Sequence, residues 1–383
     1  MKLSLPLLLA GFLLSSVVDG QVPRGCTNLT IPVTVSAENM ALPLDLDPAD
    51  FLAIVEELLG DVLDSFVSGT FNIAATYCEP VNPDPNRYHT LQVLVHGATY
   101  TKAYWFGEYF SNYYSWVYYA SNAGYPTLTI DRLGNGESER PDPVLDVQDP
   151  IHVEIIHNII GYARKNQLDI PLPRAFDTIV LAGHSLGSVI SNVLNYKYPY
   201  DADVTILTGF APILPINEIG ILVQGWLLPA DLIDSRYKGL SAGYLEFGNR
   251  ADFDFLFYYP GQYYAGMESL DWSTRGTFSL GEASTAALPS QVAWEYTNPL
   301  LVVTGSHDSF FCSLLSLDIQ ILLGAPDCDT SSSGQAASVQ PQLYPNTRSF
   351  GVLYPDAGHC WHLHYGAPET FNQINQWLAD EGF

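Results

Sequence analysis

The sequence predicts a doubly wound α/β sheet, mostly parallel, with antiparallel first strands and one long insertion. Three observations lead there. Six short, β-branched, near-continuously apolar runs recur between residues 90 and 358, as expected of strands buried on both faces. Helix-like stretches separate them, the alternation of crossover connections. Two further β-like runs precede the series, and one interval of about 85 residues breaks it.

Taken in order, the chain opens with "MKLSLPLLLAGFLLSSVVDGQ": Lys2, an apolar stretch through Leu14, then small residues up to Gly20. This is the pattern of a secretory signal peptide cut after residue 20, and the stretch is short for a membrane span. No later stretch is long and apolar enough to span a bilayer, so the expected organisation is 1–20 as signal and 21–383 as one domain. A secretory route makes "CTNLT" a glycosylation sequon at Asn28. It also fits the cysteines. Cys26 opens one β-like run ("CTNLTIPVTVSA") and Cys78 closes the next ("GTFNIAATYC"). Antiparallel pairing brings the start of one to the end of the other, within disulfide reach. Cys312 and Cys328 flank a single segment and form the second expected bridge, leaving Cys360 as a buried free thiol.

The six core runs are "TLQVLVHG" (90–97), "YPTLTIDRLG" (125–134), "TIVLAGHS" (178–185), "DVTILTGFA" (203–211), "PLLVVTG" (299–305) and "SFGVLYPDAG" (349–358). Helices are expected over 104–122, 149–166 and 187–198, and a last one over 368–381 with Pro368 near its start. The interval 213–297 is dense in aromatics, with seven between Phe253 and Tyr264. It reads as a cap shaping an apolar pocket over the strand ends, or as a helical subdomain using its aromatics for its own packing. Residues 329–342 read as a solvated loop.

The chemistry centres on "IVLAGHSLGS". Ser185 lies between Gly183 and Gly187, where a strand passes into a helix, the sharp turn that presents a serine nucleophile. A serine needs a base, and the base needs a carboxylate to fix its tautomer. "VLYPDAGHCWHLH" supplies His359 just after the last strand, and "LLVVTGSHD" supplies Asp308 after the preceding one; Asp356 and Glu218 are the competing acids. His362 and His364 read as loop or helix-start residues. No neighbouring set completes a zinc site with them, so neither metal nor cofactor is expected. The oxyanion of an acyl-transfer reaction would be held by the amides of Leu186 and of Ala98, with Thr99 next, in "LVHGATYT"; His96 would shape that loop.

The ordered set "HGA", "DRLGNGES", "GHSLG", "GSHD", "AGHC" resembles the α/β-hydrolase superfamily over nearly the whole chain outside the cap. It is most similar to secreted, esterase-like fungal members. The resemblance implies structural roles for Asp131 and Arg132, and the serine at the elbow departs from branches that carry aspartate there. The expected function is a secreted serine hydrolase of a small-molecule carboxylic ester or lactone. Two alternatives are amide or peptide cleavage and a non-hydrolytic tailoring role on polyketide-like rings. A formal charge of −26 argues against nucleic acid as a partner.

Overall fold

The computed structural model describes residues 23–41, 64–212, 225–286, 290–312 and 335–383. The expected signal segment 1–20, the first part of the cap, Glu218 and Cys328 lie outside the described residues.

Two long strands, β1 (Cys26–Met40) and β2 (Asp64–Cys78), pair antiparallel along their whole length in the register Cys26 to Cys78. Along β1 from Ile31 to Asn39 buried and exposed residues alternate, as in a strand with one face on the core. A disulfide joins Cys26 to Cys78. The strands that follow are buried throughout or nearly so: β3 (Thr90–Val95), β4 (Thr127–Ile130), β5 (Thr178–His184) and β6 (Val204–Thr208).

Between β3 and β4, the single helix expected over 104–122 is broken. Lys102–Tyr109 and Asn112–Tyr114 are 3₁₀ turns, and only α1 (Trp116–Asn122) is α-helical. The break lies at Gly107, Glu108 and Tyr109, all with positive φ, a conformation that cannot continue a right-handed helix. The other crossovers are regular: α2 (Asp149–Arg164) starts on a proline in its first turn, and α3 (Leu186–Lys197) leaves directly from the β5 turn.

After β6 the chain enters the cap. Its described part carries a small antiparallel sheet, β7 (Leu227–Pro229), β8 (Tyr244–Phe247) and β9 (Phe278–Ser279), in the order β7-β8-β9. Helices α4 (Arg250–Phe257), α5 (Ala265–Thr274) and α6 (Leu280–Ala286) accompany it. The cap is therefore mixed rather than helical. The chain returns to the main sheet through β10 (Leu300–Val303) and β11 (Phe350–Leu353) and closes with α7 (Ala367–Asp380). Within the segment read as a solvated loop, Val339–Leu343 forms a short helix that buries Val339 and Leu343.

The main sheet runs β1-β2-β4-β3-β5-β6-β10-β11, parallel from β4 onward, with β2 antiparallel to β4. Strand order reverses around β3, and β5 sits centrally. In such sheets a crevice opens beyond the carboxyl ends of the central strands, where the turns of several strands converge.

Candidate active site

Ser185 occupies the turn between β5 and α3 with φ 53° and ψ −120°, a backbone state that side-chain-bearing residues rarely adopt. Close packing explains its glycine neighbours. A Cβ on Gly183 would overlap the Gly187 carbonyl, and one on Gly187 would overlap the Val95 carbonyl of β3. Strand, elbow and helix thus touch backbone to backbone. The elbow is pinned from β6: the Ser185 amide donates to the Thr208 carbonyl at 2.9 Å.

His359 and Asp308 come together from the turns after β11 and β10. His359 Nδ1 lies 2.8 Å from Asp308 Oδ2, and both side chains are buried. A carboxylate only accepts, so Nδ1 carries the proton and Nε2 keeps its lone pair. The other carboxylate oxygen accepts from the amides of Phe310 and Phe311 at 2.8 and 2.9 Å, which fixes the acid. His359 Nε2 has no hydrogen-bond partner among the described residues. Its ring is walled by Phe257, Phe310, Phe311 and His184, with centroids 4.9–5.7 Å away. The competing acid Asp356 faces away, accepting from Gln262 and pairing with His307.

Ser185 and His359 line one cavity. The main domain contributes Ala98, Thr99, Tyr100, Leu186 and Phe310 to its wall; the cap contributes Leu227, Phe247, Leu256, Phe257 and Phe278. Among the described residues His359 is the one Asp, Glu, His, Lys or Arg in its wall, and the other lining side chains are mostly apolar or aromatic. The backbone amides of Ala98 and Leu186 donate no hydrogen bond to another described residue. Thr99 beside them has φ 59°, strained for a β-branched residue, and its carbonyl accepts from Gly276 of the cap at 2.6 Å.

The remaining motif residues brace these turns. Arg132 Nε donates to the His96 carbonyl and Nη2 to the Gly97 carbonyl, both at 3.1 Å, while its amide donates to His96 Nε2 at 3.0 Å. Arg132 also pairs with Glu282 of α6, which in turn accepts from His152 Nε2 at 2.9 Å. Burial opposes charge on Glu282, yet Arg132 and His152 hold its carboxyl down at about 2. Burial, then the Arg132 charge, push His96 well below the ordinary imidazole range, so it is neutral, and its Nε2 accepts from the Arg132 amide. Asp131 pairs with Lys102 at 2.7 Å and accepts from the Lys102 amide. Glu282 gave no signal in the sequence, since it lies 150 residues from Arg132 in a segment without a motif.

His364 also has a definite job. Its Nε2 accepts from the amides of Tyr259 and Gly358 at 3.0 and 3.2 Å, and its Nδ1–H donates to the Cys360 carbonyl at 2.9 Å. Burial lowers it to about 4, which keeps it neutral and able to accept. His362 is buried among Tyr104, Trp105, Trp116 and Trp361. Cys360 is a buried free thiol, Asn28 is an exposed residue of β1, and the expected Cys312–Cys328 bridge involves a residue outside those described. Among the described residues, no group of three or more His, Cys, Asp or Glu side chains is placed to hold a metal ion, and no helix is long and apolar enough to cross a membrane.

Among solved structures, the fold is similar to a thermophilic esterase from Thermogutta terrifontis, 14% identical, with a TM-score of 0.53 over 92% of this chain and 100% of that one. It is also similar to a bromoperoxidase from Bacillus anthracis (14% identity, TM-score 0.52, 91% and 100% covered). A third likeness is to a candidate aryl esterase from Burkholderia cenocepacia (17% identity, TM-score 0.50, 81% and 96% covered). At these identities the likeness is one of fold. No curated protein matches the sequence. The family model that matches residues 92–374 is that of the alpha/beta hydrolase family. It spans the stretch from β3 to α7 that holds every turn meeting at the cavity, and the chain belongs to that family.

Proposed function

We propose that this protein is a secreted serine hydrolase that cleaves a carboxylic ester or lactone through an acyl-enzyme. The observation that carries the reading is the His359–Asp308 pair, with Nε2 unpartnered among the described residues and His359 lining the same cavity as the elbow serine. In this mechanism His359 Nε2 takes the Ser185 proton as Oγ attacks the ester carbonyl. Asp308 holds the imidazole tautomer and stabilises the imidazolium. The amides of Ala98 and Leu186 receive the developing oxyanion. His359 then gives its proton to the leaving alkoxide, and the C–O bond breaks to leave acyl-Ser185. A water, deprotonated by the same nitrogen, adds to the acyl carbon and releases the carboxylic acid and the serine. No cofactor or metal enters these steps.

Ester rather than charged-peptide chemistry is favoured by the described wall of the cavity, in which no Asp, Glu, Lys or Arg is found to meet a charged side chain. The test is turnover of short p-nitrophenyl esters, with fluorophosphonate labelling, by the wild type and Ser185→Ala. The substitution should remove at least about 10⁴-fold of kcat and abolish labelling without altering the circular dichroism spectrum. Equal turnover by the two proteins would overturn the reading, and a matched amide panel separates esterase from amidase. Secretion is supported by the Cys26–Cys78 disulfide, a bond of oxidising compartments, and glycosylation by the exposure of Asn28. A mass shift on glycosidase treatment of secreted material, lost in Asn28→Gln, tests both.

A further inference from the structure

A line of buried polar side chains runs behind the three turns that meet at the cavity. Each turn contributes the neighbour of one of its own functional residues. Tyr100 follows Ala98 and Thr99 in the loop after β3, His184 precedes Ser185, and Cys360 follows His359. The Tyr100 hydroxyl donates to Asp271 Oδ2 at 3.0 Å and lies 3.0 Å from Cys360 Sγ. A phenol has one proton to give, so the Cys360 S–H is left to donate to the phenol oxygen. Cys360 Sγ in turn lies 3.8 Å from His184 Nε2. Asp271 comes from α5 of the cap, is wholly buried, and accepts a second hydroxyl, that of Tyr258, on the same oxygen at 2.5 Å. Its other oxygen has no partner among the described residues.

A buried carboxyl with one oxygen unpartnered is costly. Here its partners are specific: one hydroxyl belongs to the loop that carries the Ala98 amide, and that loop holds a strained residue, Thr99, in place. Strain persists only where the surroundings over-determine it. The cap supplies that constraint twice, through the Gly276 amide on the Thr99 carbonyl and through Asp271 on Tyr100. We propose that Asp271 is a positioning residue of the reaction: the cap, through Asp271 and the Tyr100 hydroxyl, sets the oxyanion loop against the elbow and the base.

The inference rests on the hydrolase reading above, so the variants are scored only against a wild type that turns over an acetyl ester and a Ser185→Ala that does not. An inactive wild type overturns that reading and the positioning role with it, whereas an active wild type puts the role alone on trial. Asp271→Ala and Tyr100→Phe should each lower kcat by about 10²-fold, the effect of a misplacement near 1 Å, and leave KM within about threefold. Asp271→Asn keeps an oxygen that accepts both hydroxyls and should recover kcat to within about threefold of wild type. The double variant Asp271→Ala/Tyr100→Phe should lose no more than either single one, because both cut one link. Unchanged kcat in Tyr100→Phe, a loss confined to KM, no recovery in Asp271→Asn, or multiplying losses would each overturn the role. If Asp271→Ala fails to fold, Tyr100→Phe and Asp271→Asn carry the test, since each preserves the shape of the side chain it replaces.

Discussion

At the scale of the residue, the site depends on side chains that never face the cavity. Arg132 shows why. Its guanidinium neutralises a fully buried glutamate and holds two consecutive carbonyls of the loop that leads to Ala98. Arg132→Ala therefore does two things, leaving Glu282 charged with only neutral His152 beside it and freeing the loop. Breaking a buried pair by removing one partner costs about 3–5 kcal/mol, and urea unfolding should show a loss of that size. The pair Arg132→Met/Glu282→Gln should recover much of the stability but little of the activity, since the carbonyls stay unheld. His364 makes the same point on the other side of the site. It joins Tyr259 at the end of α4 to the loop carrying His359, and it does so as a neutral ring. His364→Ala strands one buried and one part-buried amide, so it should lower both the urea midpoint, by about 2 kcal/mol of stability, and kcat.

At the scale of the element, what was legible in the sequence follows from how local each signal is. Core strands buried on both faces announce themselves as apolar runs, and the turn after each one is read with it, which is why Ser185, Asp308 and His359 could be named from chain order. The antiparallel pairing of β1 with β2 was legible because a cysteine stands at each matching end. The helix expected over 104–122 was not, because three consecutive residues, Gly107 to Tyr109, take left-handed backbone states that nothing in the local sequence marks. The roles of Glu282 and Asp271 were illegible for a different reason: each acts on a residue 150 or 171 positions away, and no local pattern marks either. Pairing of β1 with β2 carries its own prediction. The Cys26–Cys78 bond closes a separation of 52 residues, for which the chain-entropy relation gives about 4 kcal/mol. Cys26→Ser/Cys78→Ser should lower the unfolding free energy by about that amount. It should leave kcat on an acetyl ester intact, because β1 is the outer edge strand of a sheet whose elbow lies on the central strand β5.

At the scale of the whole molecule, buried titrating groups set how stability depends on pH, and their signs can be worked through. Among the described residues burial raises seven carboxyls, Glu108, Asp146, Asp149, Asp252, Glu246, Asp254 and Asp271, the last three to about 7. Between about pH 4 and 7 the folded chain holds protons there that the unfolded chain has lost, so these groups stabilise the fold as pH falls. Burial lowers five histidines, His96, His152, His184, His362 and His364. Below about pH 6.5 the unfolded chain protonates them and the folded chain does not, so they act in the opposite direction. Between about pH 4.5 and 6.5 the two sets act in opposite directions. Above that window the histidines are neutral in both states and only the carboxyls remain, so stability declines as pH rises. The net charge of −26 adds self-repulsion at the same end. On the acid side Glu282, held at about 2 in the fold, stabilises it fully above about pH 4.5 and loses that contribution as pH falls toward 2. Fluorescence-monitored urea unfolding should thus give a midpoint that is lower at about pH 8 than at about pH 6.5, and lower at about pH 3 than at about pH 4.5. Glu282→Gln should weaken the acid edge while keeping the alkaline decline. A midpoint that stays level from about pH 6.5 to 8 would mean that these carboxyls are already ionised in the fold at the lower pH.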